Sequence, residues 1–118
     1  MARARRKRDR LHQIHRWLQA TFVTHYPTRL RVEVSDKEDS AGSCEKGRRV
    51  FVLRVSPRLT LNIGIDALLH EYAHAMSWPP GPVAKHVPDH SDEWALAYGR
   101  LYRAFIDEGA QDFESCDH

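Results

Sequence analysis

Hydrophobic positions fall into blocks of different period along the chain. Leu11, Ile14, Leu18 and Phe22 recur at steps of three and four, with Trp17 beside them. That spacing predicts an amphipathic helix from 11 to about 25, stopped by Pro27. From Leu30 the period falls to two: Leu30, Val32 and Val34 alternate with Arg31, Glu33 and Ser35, the pattern of a half-buried strand. Residues 36–47 (DKEDSAGSCEKG) are polar and turn-rich and read as a loop. Val50 to Val55 (VFVLRV) is dense in β-branched and aromatic residues and predicts a more buried strand, paired with the first as an antiparallel hairpin.

Ser56-Pro57 breaks the second strand. A helix is expected from Thr60 or Asn62, either able to cap it, to Trp78, where Pro79-Pro80-Gly81-Pro82 stops it. A loop holding Lys85 and His86 follows. The last helix should open near His90–Ser91 and turn Trp94, Ala97, Tyr98, Leu101 and Phe105 to one side. The sum is an α+β fold: an N-terminal helix, a small antiparallel β-hairpin or sheet, and two further helices. The domain spans 11–106, between a basic tail (1–10) and an acidic one (107–118).

Composition bounds this picture. The chain has 118 residues, 42% hydrophobic and 29% charged, which suits one globular domain. No apolar run approaches the ~18 residues of a membrane span, and no h-region follows the basic N-terminus. A cytoplasmic protein is expected. The formal charge of +2 is uneven: residues 1–10 carry six cations against Asp9 alone, so the remainder is net acidic. The basic run reads as a solvated helix start that could also touch nucleic-acid phosphates. Cys44 and Cys116 are far apart and make no Cys-x-x-Cys pair, so free thiols are expected.

Eight histidines are unusual for this length. His12 and His15 have no acidic or cysteine neighbour suited to metal binding and read as surface residues of the first helix. His70-Glu71-Tyr72-Ala73-His74 is different: it is an H-E-x-x-H in mid-helix. Residues four apart share a helix face, so both imidazoles can converge on one zinc ion, with Glu71 one step round the helix as general base. A catalytic zinc site needs a third protein ligand and an open fourth position. His90, Glu93 and His86 are the candidates that the residues alone leave open. Asp66, four residues before His70, could orient its imidazole or simply favour the helix dipole.

The stretch LLHEYAHAMSW, a short loop and HSDEWALAYGRLYRAF resembles the SprT-like zinc metalloprotease family, whose H-E-x-x-H helix is followed by a His-Gly-x-x-aromatic opening the next helix. Here His90 stands four residues before Trp94, and Ser91 replaces the glycine, a form also similar to YgjP-type predicted metallopeptidases. The resemblance covers roughly residues 50–106. It implies a minimal gluzincin-like core, one zinc ion per chain on His70, His74 and His90, Glu71 as general base, a protein or peptide substrate, and Glu93 relegated to a supporting or surface position. Many SprT-like proteins carry a C-terminal zinc ribbon that this chain lacks, so DNA-directed functions do not transfer. Tyr98, on the inward side of the last helix, is a candidate donor to the oxyanion. The alternatives are a zinc-bound module without turnover, and a nucleic-acid-associated protein that uses its basic N-terminus.

Overall fold

The computed structural model describes residues 2–34, 41–78 and 91–109. Among them are helix α1 (Ala2–Thr21), strands β1 (Thr28–Val32), β2 (Gly42–Lys46) and β3 (Phe51–Val55), and helices α2 (Leu61–Ser77) and α3 (Asp92–Ala104). A π-helical turn over Phe105–Gly109 continues α3. The fold is α+β, as the periodicities indicate.

The first helix begins well before Leu11, taking in most of the segment that the charge pattern set apart as a tail. Arginine and lysine are good helix formers, and Lys7 secures the extension by donating its Nζ to the carbonyls of Pro57 (3.2 Å) and Leu59 (3.0 Å). The helix also ends earlier than expected. The Tyr72 hydroxyl donates chiefly to the Phe22 carbonyl (2.8 Å), just past the helix end, and lies 3.3 Å from the Leu18 carbonyl, which also accepts the Phe22 amide (2.8 Å).

The sheet corrects the expected hairpin. Its order is β1-β3-β2. β1 runs parallel to β3, from Thr28↔Phe51 to Val32↔Val55. The antiparallel partner is β2, from Gly42↔Val55 to Lys46↔Phe51, inside the segment expected to be a loop. Parallel pairing needs a crossover, and β2 lies in the stretch of chain that returns from β1 to β3. β2 is an edge strand of polar and small residues with no hydrophobic alternation, so its strand character comes from pairing with β3 rather than from its own pattern. On the outer face Arg54 bridges Glu33 (2.9 Å) and Glu45 (2.7 Å) across the central strand.

β3 is the most buried strand: Phe51, Leu53 and Val55 all point inward and are almost fully enclosed. Against this face pack Leu11, Ile14 and Leu18 of α1 and Leu68, Leu69 and Tyr72 of α2, and Leu101 completes the core from α3. α2 therefore has neighbours on several sides; beyond its exposed first turn (Asn62, Ile63), Asp66 is exposed and His70 and His74 are half-buried. Among the described residues no helix is long and apolar enough to cross a membrane.

Candidate metal centre

Both helix starts are built by the residues the sequence suggests. The Thr60 hydroxyl caps α2, accepting from the Ile63 amide at 3.5 Å. Ser91 caps α3, its Oγ accepting from the Trp94 amide at 3.2 Å, with Asp92 and Glu93 complementing the helix dipole in the first turn. Ser91 thus sets where α3 begins. α2 and α3 then pack side by side and bring the aromatic residues of α3 against the histidines of α2.

His70 and His74 meet with their Nε2 atoms 3.3 Å apart and ring centroids 5.0 Å apart. Two nitrogens bound to one tetrahedral ion at 2.0–2.1 Å are separated by about 3.3 Å, so the pair already has the spacing of two edge-sharing zinc ligands. Glu71 completes a group whose ligand atoms all lie within 4.8 Å of one another. Its side chain is only 8% exposed and faces β2, where a Cβ on Gly42 would lie 3.4 Å from its Oε2. The same Cβ would stand 2.5 Å from the Arg54 carbonyl oxygen, so position 42 has room for no side chain. The donor set and its spacing suit a zinc ion.

Trp94 holds the pair from the other side. Its ring stacks on His74 (5.4 Å, 29° between planes) and meets His70 edge-on (4.8 Å, 62°), while its indole N–H donates to the His70 carbonyl at 3.2 Å. Tyr98 follows one turn later, 6.0 Å from the His70 ring. Its hydroxyl donates to Asp66 Oδ1, so Asp66 engages Tyr98 rather than the His70 imidazole. Burial first, then the Asp66 carboxylate, pushes the Tyr98 pKa well above its ordinary value, and the phenol stays protonated.

Of the predicted third ligands, His90 and His86 lie outside the described residues, as does Cys116. Glu93 is exposed on the first turn of α3 and is absent from the His70–Glu71–His74 group. His15 corrects the surface reading of the first helix: it is 5% exposed, with Nε2 2.7 Å from Thr28 Oγ1 and its ring edge-on to Tyr72. Burial, then the charges of His12 and Arg16, lowers its pKa to about 4, so it is a neutral tie between α1 and β1.

Two neighbours of the site escaped the sequence reading because β2 did. Gly42 and Cys44 share the inward face of that strand, opposite Val55 and Leu53. Burial, then the carboxylates of Glu71 and Glu45, pushes the Cys44 thiol up to about 12. Trp94 was legible as an inward aromatic and as the tryptophan four residues after His90, but its contact with both histidines was not.

Comparison with protein-family models, curated proteins and solved structures finds no match for this chain.

Proposed function

We propose that this protein is a zinc-dependent metallopeptidase. The observation that carries the reading is the 3.3 Å separation of the His70 and His74 Nε2 atoms beside the buried Glu71 carboxylate. His70 and His74 would hold the ion with His90, the third ligand that the resemblance to SprT-like metalloproteases implies. Zinc in such a site supplies Lewis acidity to the scissile carbonyl and lowers the pKa of a water. Glu71 takes the proton from the attacking water on a carboxylate oxygen and delivers it to the leaving amine nitrogen. Enclosure by β2 keeps that carboxylate near the histidines. β2 is an edge strand next to Glu71, so an extended peptide can add to the sheet through its backbone. Tyr98 would donate to the developing oxyanion only after release from Asp66.

The test is zinc content and hydrolysis on the same preparations. Wild type should hold near one zinc per chain and cleave an unfolded protein such as reduced casein. Glu71→Gln should retain the zinc and lose about 100-fold or more of the rate. His70→Ala and His90→Ala should lose zinc as well. Full zinc without cleavage would instead support a non-catalytic zinc module, and wild type free of zinc would overturn the metal site itself.

A second reading concerns partners. Arg5, Arg6 and Arg8 are exposed on a helix that Lys7 fastens to the domain, and this presents a fixed basic array to polyanions. Nucleic-acid binding by it would weaken steeply with salt and be independent of sequence. Unchanged DNA affinity on replacing the three arginines by glutamine would exclude it.

A further inference from the structure

A cavity of about 300 Å³ lies between α2 and the end of α3, beyond Tyr98 from the histidine pair. Ile65, Leu69, Phe105 and Ile106 give it apolar walls, and Tyr102 stands at its rim with 43% of its surface exposed. The π-helical turn over Phe105–Gly109 carries two of these wall residues. Asn62 and Asp66 are its polar groups, and Asp66 is its sole charged one.

We propose that this cavity is a side-chain subsite of the zinc centre and that it takes lysine or arginine. The inference rests on the peptidase reading and adds a substrate class to it.

Three observations select that occupant. The first is position: Asp66, exposed, precedes the half-buried His70 by one helical turn on the same face of α2, a rise of about 6 Å. A lysine side chain has a similar reach. A residue bound beside His70 can therefore lay its methylenes along Phe105 and Ile106 and bring its cation to Asp66. The second is the carboxylate itself. Oδ1 accepts from the Tyr98 hydroxyl, and Oδ2 can receive a cationic donor. A wholly apolar side chain would desolvate Asp66 without replacing its hydration, at a cost that a charged partner offsets. The third is the field around the mouth. Asp107 and Glu108 are exposed on the π-helical turn next to Ile106, with Arg103 3.7 Å from Asp107 as the nearby cation. The exposed face of Tyr102 also favours a cation.

The experiment is cleavage of a peptide library by the zinc-loaded 118-residue chain, followed by kcat/KM on matched peptides with lysine, norleucine or glutamate at the selected position. Wild type should prefer lysine over norleucine by about tenfold or more, as expected of a site that pairs a substrate charge. In Asp66→Asn that ratio should fall to near one, and in Asp66→Lys it should turn toward glutamate. Because each ratio is taken within one variant, a general loss of activity does not affect it. Ile106→Trp, made at an exposed wall position, should narrow the cavity and shift the library toward short side chains. Cleavage without a basic preference, or a preference that Asp66→Asn leaves intact, overturns the subsite while the peptidase stands. Failure of wild type to bind zinc or to cleave any peptide overturns the peptidase reading, and the subsite with it.

Discussion

The indole N–H of Trp94 donates to the backbone carbonyl of His70 at 3.2 Å. Through this bond and its ring contacts, one side chain of α3 fixes both histidines of α2 and the register between the two helices. Trp94→Phe keeps an aromatic ring and removes the donor. Zinc affinity, measured by competition with a chromophoric chelator, should fall about tenfold, and Trp94→Ala should cost closer to 100-fold, the range for groups that orient metal ligands. Affinity unchanged in both would show that the histidines are held by the rest of the core.

Gly42 should not tolerate replacement. A Cβ there would stand 2.5 Å from the Arg54 carbonyl oxygen and press on Glu71. Gly42→Ala must shift β2 away from β3 or displace Glu71, with an expected loss of about 1–3 kcal/mol by urea unfolding. Hydrolysis should fall further than stability explains, because the displaced carboxylate is the proposed base. A variant of full stability and full activity would contradict the packing described.

Tyr72 stands inside the H-E-x-x-H yet points away from the face that carries His70 and His74. Its hydroxyl serves the end of α1, 50 or more residues away in sequence. Tyr72→Phe keeps the ring and removes the donor to the Phe22 carbonyl, while the Leu18 carbonyl keeps the Phe22 amide; this should destabilise the protein by about 1–2 kcal/mol. Zinc content should stay at the wild-type level. A loss of zinc at unchanged stability would place Tyr72 in the metal site instead.

His15 makes stability depend on pH. Its folded pKa of about 4 lies below the ordinary 6.5, so between those values the unfolded chain binds a proton that the folded protein excludes. Stability therefore rises with pH across this window and is lost as pH falls from about 6.5 to 4, by at most about 3 kcal/mol. Urea unfolding at pH 7.5, 5.5 and 4.5 should show the slope, and His15→Gln should flatten it. An equal slope in the variant would assign the effect to the other histidines.

The limits of sequence reading are visible in two neighbouring segments. β3 was legible because Phe51, Leu53 and Val55 carry their burial in their own chemistry, as does the α2 stretch with Thr60 as its cap. β2 was not, because Gly42, Ser43, Cys44, Glu45 and Lys46 have the composition of a turn. They become a strand only once β3 offers its open side, and Glu71 acquires its enclosure with them. His15 misled for a related reason: it sits four residues after Leu11, beside the apolar stripe, but no local pattern shows that Thr28 will come to meet its imidazole.

Spacing along one chain determined the helices, the buried strand and the pairing of His70 with His74, because a repeat of 3.6 residues places i and i+4 together wherever the helix sits. Tertiary structure decided what no spacing could. It set the parallel course of β1, the strand that shelters Glu71, the clasp of Trp94 on both histidines and the cavity beside Asp66. Each of these joins segments distant in sequence, and their positions follow from packing against the shared core rather than from any local pattern.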